Sequence, residues 1–410
     1  MLKKPELLAP AGNYSRMVYA IEYGADAVYV GGEEYSLRTA SNNFSCQELE
    51  KAVDFAHVRG KRLYVACNAV PRNGEIDRLP EYASFLEKIG VDAVIISDLG
   101  SLRIFRRYAP QLTVHVSTQA NTVNYEACRS WYELGAQRIV LGRELSLEEI
   151  VEIRSRIPKD CELEIFVHGA MCMAHSGRCL LSDFLTGRDS NRGDCAQPCR
   201  WKYTLTEEKR PGEHFPVLET DNGTYFLNSK DLCMIEHLPE LCNAGITSFK
   251  IEGRAKTEYY VAGVTQAYRM ALDDCFEDVE RYAVNLPQYR EEVNKVSHRP
   301  YYTGFFFPEN NVSGQNYEDS SYIRAYELAG IIEGYDSLHR RLLVSQRNKI
   351  FAGEEYEILE AGKASRTFRI EKMYDEEGNS ILFAPHAEQK VSIEYPSYVG
   401  THSFLRKRKI

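Results

Sequence analysis

No run of about 18 consecutive apolar residues occurs anywhere in the 410-residue sequence, which excludes an ordinary membrane-spanning helix. The opening Met-Leu-Lys-Lys-Pro-Glu-Leu-Leu-Ala-Pro lacks the apolar centre of a secretory signal and leads directly into a strand-like segment. Both absences point to the cytosol. His-Glu-x-x-His and Gly-x-Ser-x-Gly are also missing, so neither the usual zinc-protease helix nor the hydrolase nucleophile elbow is on offer. A broad basic face is lacking as well. Residues 321–410 hold 14 basic and 13 acidic side chains, so against a total of −9 the first 320 residues carry about −10. Only Arg406-Lys407-Arg408-Lys409 gathers positive charge, as a solubilising tail or a phosphate contact.

What is present is an ordinary globular composition, 44% hydrophobic and 27% charged, in a chain long enough for two or three domains. Eleven cysteines in a reducing compartment do not make a disulfide framework. Six of them, Cys46, Cys67, Cys128, Cys161, Cys242 and Cys275, are scattered and read as small core residues.

Short β-branched runs alternate with helical patterns from residue 5 to about residue 275. The strand candidates are Glu6–Ala9, Ala27–Gly31, Leu63–Asn68, Ala93–Ser97, Val114–Thr118, Arg138–Gly142, Leu163–His168 and Ser248–Glu252. Eight such strands with crossover helices predict an α/β fold, a TIM-type (β/α)8 barrel over residues 1–285. A related turn introduces every even-numbered strand: Gly24-Ala25-Asp26, Gly90-Val91-Asp92, Gly135-Ala136-Gln137 and Gly245-Ile246-Thr247. Glycine there ends the preceding helix in a left-handed cap.

Alternation along these strands turns several polar residues toward the barrel axis: Tyr64 and Asn68; His115, Ser117 and Gln119; Glu164 and His168; Ser248, Lys250 and Glu252. Burying charge there is costly unless it is paired or serves chemistry. An ion-pair network is one reading. The other is an active site at the C-terminal mouth, with His115, His168, Lys250 and Glu252 handling protons or charge.

About 80 residues separate strands seven and eight, far more than a connection needs, so residues 168–235 form an insertion on the mouth. It carries Cys172, Cys179, Cys195 and Cys199, spaced C-x6-C-x15-C-x3-C, among turn-forming glycines. Clustered thiolates suit a soft metal or an iron–sulfur centre. Structural zinc favours paired C-x2–4-C knuckles and only one such pair is present, so the spacing leans toward iron–sulfur without excluding zinc. Arg178, Arg188, Arg192 and Arg200 either offset the cluster's charge or are solvated surface. Cys233, in the helical context Asp231–Leu238, is a fifth candidate ligand or a core residue.

The run from Glu164 to Ser182 matches E-x-F-x2-G-[SA]-x-C-x4-G-x-C-x2-S and resembles the signature of peptidase family U32. Pro10-Ala-Gly-Asn13, Gly24-Ala-Asp-Ala-Val-Tyr29, Ser117-Thr-Gln-Ala-Asn121, Asn228-Ser-Lys-Asp231 and Lys250-Ile-Glu-Gly-Arg254 resemble further landmarks, so the likeness covers essentially the whole chain. Within the family the sequence is most similar to the prephenate-dependent tRNA uridine hydroxylases. That resemblance implies oxygen-independent 5-hydroxylation of a wobble uridine, a [4Fe-4S] cluster on Cys172, Cys179, Cys195 and Cys199, prephenate as co-substrate and tRNA as partner. Relatives differ in the fourth cysteine, and some act with a paralogous partner chain. Arg143 and Arg254, after strands six and eight, are candidates for the prephenate carboxylates. A collagenase-like peptidase, with His168 and Cys172 as a nucleophilic pair, and a zinc-stabilised binding or assembly protein remain as alternatives.

Beyond the barrel, a helix Thr257–Asp273 leads into an irregular wrapping linker, residues 286–322. Alternating runs from Tyr326 onward predict a small antiparallel β-barrel over residues 323–410.

Overall fold

The computed structural model describes residues 4–36, 43–171, 179–190, 193–201, 204–205, 215–216, 230–307 and 322–409. Seven parallel strands follow in order: β1 (Glu6–Pro10), β2 (Ala27–Gly31), β3 (Arg62–Cys67), β4 (Ala93–Ile96), β5 (Thr113–Val116), β6 (Arg138–Val140) and β7 (Glu162–Ala170). Next comes a two-residue ribbon, β8 (Thr204–Leu205) against β9 (Phe215–Pro216), and then β10 (Asp231–Cys233), β11 (Ser248–Ile251) and β12 (Tyr301–Tyr302). β11 pairs with both β7 and β1, which closes the predicted eight-stranded parallel barrel. The upper part of β7 outruns this closure and pairs antiparallel with β10, which carries β12 on its other edge.

Local sequence explains the helices around it. Ser45 with Glu48 and Ser146 with Glu149 make reciprocal capping boxes that open the helices Cys46–Val58 and Leu147–Arg156. The four glycines of the recurring turn sit at φ 106°, 80°, 100° and 75°, where a side chain would be strained. Strand residues such as Leu7, Val28, Leu63, Val94, Val114 and Leu163 pack outward on the helices in one continuous core.

The inward-facing side chains divide the lumen into two halves. Leu8, Ala27, Tyr29, Tyr64, Ala93 and Ile95 form a small apolar cluster on the β1–β4 side. The charged and polar groups gather on β5, β6, β7 and β11, joined by Glu6 from β1. The lumen is therefore polar on one side.

Three local expectations are corrected. Cys233 lies in a strand rather than a helix, because the protruding end of β7 offers Asp231–Cys233 a ladder. The helix after β11 runs Glu258–Glu277, and a second helix, Val279–Asn294, occupies the start of the expected irregular linker despite Pro287 inside it. Its buried Tyr282, Tyr289 and Val293 join the barrel core and outweigh the cost of the proline.

The C-terminal domain is an eight-stranded antiparallel sheet, with Arg366–Arg369 at one edge and Ser380–Ile381 at the other. No ladder joins those edges among the described residues, so it is an open half-barrel. Its last strand, Ser403–Arg408, corrects the reading of the basic run. Arg406 is wholly buried and binds Glu292 and Glu357, both at 2.7 Å, while Lys295 bridges the same two carboxylates at 3.0 and 2.8 Å. Lys407 pairs with Glu354. Phe404 stacks on Tyr19 with ring centroids 4.8 Å apart and is packed into the barrel's core. Arg406 and Phe404 dock the sheet on the barrel, whereas the Lys407 pair lies within the C-terminal domain.

No helix among the described residues is long and apolar enough to cross a membrane.

Candidate active site

Lys250 on β11 reaches Glu164 on β7, Nζ to Oε1 2.8 Å. Arg138 on β6 binds Glu164 at 3.1 Å, Glu162 at 2.6 Å and Glu6 of β1 at 2.6 Å. Arg62 also pairs with Glu6, which further accepts bonds from the Tyr64 hydroxyl at 2.7 Å and from Ser248 at 3.2 Å. Burial alone would raise the Glu164 carboxyl, but Lys250 and Arg138 beside it hold it below the ordinary glutamate range. Glu6 and Arg138 were not singled out in the sequence. The signal was there, since each is a charged residue inside an apolar strand run.

His115 stands in this half of the lumen, edge-on to Tyr64 at 4.8 Å. Burial first, then Arg138 and Lys250, push it well below its ordinary value, so its ring stays neutral; Nδ1 has no hydrogen-bond partner. The Lys250 ammonium lies 4.4 Å from the Tyr29 ring centroid and 5.5 Å from that of Phe166. The predicted Asn68 and Ser117 meet at 3.3 Å.

The Arg143 guanidinium lies 3.8 Å from the same Phe166 centroid. It donates to the Ala170 carbonyl at 2.7 Å and approaches Glu252 at 3.5 Å, while its buried Nε has no partner. Lys250, Arg143 and Glu252 are thus assembled around the upper ends of β6, β7 and β11. Arg254 turns toward β2, donating to Ser36 at 2.8 Å and Asn43 at 2.7 Å. Its seat needs a bare backbone: a Cβ on Gly31 would stand 2.1 Å from the guanidinium, and one on Gly12 2.0 Å from the Arg254 carbonyl.

His168 does not join this group. A β-bulge between β7 and β11 at this position breaks the alternation, and its ring sits among Tyr260, Tyr268 and Tyr301 at 6.1, 5.4 and 5.2 Å, toward the outer helix Glu258–Glu277. Burial, with His298 and Lys256, holds it at about 3.

Cys172 lies outside the described residues, as do Arg178 and Arg192. From Cys179 onward the insertion is tied to itself: Ser190 donates to the Cys179 carbonyl at 2.6 Å, and Ala196 N–H donates to the Ser182 hydroxyl at 2.9 Å. Gly187, left-handed at φ 67°, ends the short helix Leu181–Thr186, and Arg188 pairs with Asp194 at 2.8 Å. Cys179, Cys195 and Cys199 are half-buried, and Gln197 N–H donates to Cys195 Sγ at 3.3 Å. Such donor chemistry fits a thiolate-bound centre. Among the described residues alone, no three His, Cys, Asp or Glu side chains form a metal-holding group.

A model of peptidase family U32 matches residues 12–316, and a model of the peptidase family U32 C-terminal domain matches residues 324–406. The chain is 37% identical to tRNA hydroxylation protein P1 of Bacillus subtilis over 407 residues, covering 99% of this chain and 96% of that protein. It is 37% identical to tRNA hydroxylation protein P of Escherichia coli over 425 residues, covering 93% and 92%. A shorter match, 37% over 273 residues, covers 67% of this chain and 40% of the Escherichia coli 23S rRNA 5-hydroxycytidine C2501 synthase. With both of its domains matched and near full-length relatives at this identity, the chain belongs to peptidase family U32.

Proposed function

We propose that this protein is an RNA hydroxylase that acts on tRNA, placing a hydroxyl on C5 of a wobble uridine with prephenate as co-substrate. The observation that carries this reading is the end-to-end similarity to proteins named for tRNA hydroxylation, together with the partial match to an rRNA hydroxycytidine synthase. The site is compatible with it. A dicarboxylate entering the mouth meets Arg143 and Lys250 on one wall, with the Phe166 ring between them. Arg254 supplies a second guanidinium after β11. Planar forks suit carboxylates, and an already seated arginine loses little freedom on binding one.

Cys172, Cys179, Cys195 and Cys199 would hold a [4Fe-4S] cluster, which supplies one-electron chemistry when bound. Around it the chain's own groups bind and orient. Glu252 steadies Arg143, Glu164 steadies Lys250, and neutral His115 offers an unpartnered Nδ1 for an uncharged hydrogen bond to substrate. Recognition of RNA falls to the mouth and the cysteine insertion, since Arg406 and Lys407 of the terminal basic run are held in ion pairs.

The test is nucleoside analysis of tRNA from a strain depending on this chain, grown with and without a prephenate supply and without oxygen. Loss of 5-hydroxyuridine in either the deletion or the prephenate-starved strain is expected. Unchanged 5-hydroxyuridine in the deletion would reject the reading. A protein hydrolysed by the purified chain, with tRNA unmodified, would favour the peptidase alternative.

A further inference from the structure

The segment Ser117-Thr-Gln-Ala-Asn121 leaves β5 at the mouth of the barrel and carries no charged side chain. The Ser117 hydroxyl caps its tight turn, accepting from Gln119 N–H at 3.2 Å and from Asn68 Nδ2 at 3.3 Å. Ser97, after β4, donates to the Asn68 carbonyl at 2.9 Å. Neutral hydrogen-bonding groups thus join the ends of β3, β4 and β5, whereas β6, β7 and β11 bring up Arg143, Glu164, Lys250 and Glu252.

Asn121 stands where these two walls meet. The carbonyl of the next residue, Thr122, accepts from Gly142 N–H at 3.0 Å, one residue before Arg143. A Cβ on Gly142 would stand 2.7 Å from the Val123 side chain, and Asn121 Nδ2 lies 3.6 Å from that same point. The backbone of Asn121 is left-handed, φ 52° and ψ 52°, a region that asparagine enters more readily than most residues and glycine more readily still. The turn alone would therefore accept glycine, and the side chain needs a reason of its own. Its Nδ2 is buried with no hydrogen-bond partner among the described residues, and the adjacent Thr122 hydroxyl, in a residue 1% exposed, has none either. Unmet donors of this kind are uncommon in a folded chain, and a ligand can satisfy them. The last torsion of asparagine is soft, so the amide can turn from its half-buried seat toward the mouth.

We propose that Asn121 holds the target uracil, its carboxamide donating to O4 and accepting from N3–H. The assignment rests on the tRNA-hydroxylation reading and adds to it the residue that grips the base. Uracil is uncharged and presents a carbonyl beside a ring N–H, and a carboxamide sets a donor beside an acceptor, so the two edges make a pair of hydrogen bonds in one plane. Arginine and lysine supply donors only. Two contacts on neighbouring ring atoms stop the base from rotating. C5 adjoins C4, the carbon that bears O4, so fixing that edge fixes where C5 points. The neutral wall thereby takes the base, and the charged wall that begins at Arg143 is left to the dicarboxylate.

The experiment measures binding of a fluorescent anticodon stem–loop to the full chain by anisotropy, with either uridine or 3-methyluridine at the wobble position. The wild type should bind the uridine loop about 10-fold more tightly, the size of effect expected from two neutral hydrogen bonds. Asn121→Gly keeps the left-handed backbone and removes the amide. It should bind both loops alike and at the weaker level, with melting temperature, iron content and KM for prephenate unchanged. Asn121→Asp keeps the shape but has no donor, and it should weaken binding of the uridine loop as well. Wild-type affinity for the uridine loop in Asn121→Gly would mean that the asparagine serves the backbone alone, and the proposal would fall. Equal binding of the two loops by the wild type would also overturn it. A wild-type chain that binds neither loop would remove the tRNA reading itself, and the base contact with it.

Discussion

Lys250 and Glu164 form an ion pair, Nζ to Oε1 2.8 Å, in which the glutamate is wholly screened from solvent and the lysine is 4% exposed. Glu164 is shared with Arg138, which draws Glu6 and Glu162 into the same network. Structural pairing and the proposed active-site role therefore fall on one side chain. The network fixes Lys250 and leaves its side chain almost wholly buried.

The two roles can be separated. Lys250→Met strips Glu164 of one of its two cations, and removing a partner from a buried pair costs about 3 kcal/mol or more. Lys250→Met combined with Glu164→Gln removes the uncompensated charge and should recover part of that stability in urea unfolding. Hydroxylation should stay lost in the double variant despite the regained stability. Hydroxylation at the wild-type level there would leave Lys250 as part of the scaffold alone.

Arg143 and Arg254 give a second comparison. Arg143 spends one nitrogen on the Ala170 carbonyl and another near Glu252, a geometry that one ammonium cannot reproduce. Losing a charge-assisted hydrogen bond to a carboxylate costs about 1.5–3 kcal/mol, roughly a 10- to 100-fold rise in the KM for prephenate. That rise is expected for Arg143→Lys and Arg254→Lys, with the fold intact by circular dichroism. Unchanged KM values in both variants would move the carboxylate site elsewhere.

The barrel was legible because its signals are local. Short β-branched runs marked all eight strands, and the recurring glycine turned out to be left-handed before each even-numbered one. Alternation also placed Lys250, Glu164, His115 and Tyr64 in the lumen. It failed for His168, because a bulge depends on how two strands meet rather than on either sequence alone. It missed Glu6 and Arg138 because their meaning lies in each other, 132 residues apart. Arg406 misled for the same reason. A basic run near the end of a sequence looks solvated until the buried Glu292 and Glu357 that neutralise it come into view.

For the cysteines, serine at Cys172, Cys179, Cys195 or Cys199 should lower the iron content of protein purified without oxygen, and Cys233→Ser should not. The Cys233 sulfur lies 3.8 Å from the Tyr268 hydroxyl in the β7–β10 ladder, and burial pushes its thiol up to about 11. A metal ligand must be a thiolate, so an environment that keeps the proton on sulfur works against ligation. Iron loss in Cys233→Ser with Cys199→Ser unaffected would make Cys233 the fourth ligand. Stoichiometric zinc in colourless, active protein would dismiss the iron–sulfur cluster.

The buried histidines set the response to acid. His168 is held at about 3 by burial, with His298 and Lys256 adding to the effect, and His115 is pushed well down by burial, Arg138 and Lys250. In the unfolded chain each has an ordinary value of about 6.5. Below that pH the unfolded state takes up protons that the folded state refuses, so stability falls as pH falls, approaching about 1.4 kcal/mol per pH unit for each such histidine. His298, also lowered by burial first, acts in the same direction. Glu164 enters later. Because its folded value lies below its unfolded one, its contribution is present above about pH 4.3 and is lost as the pH falls toward the folded value. Between about pH 6.5 and 5 the histidines therefore account for the acid-side loss among these groups. Unfolding free energies measured in urea at about pH 7 and pH 5.5 should differ less in His168→Gln than in the wild type, by about 1.3 kcal/mol, the share of one neutral histidine. An equal drop in both proteins would mean that His168 is protonated inside the fold, and the neutral ring among Tyr260, Tyr268 and Tyr301 would have to be abandoned.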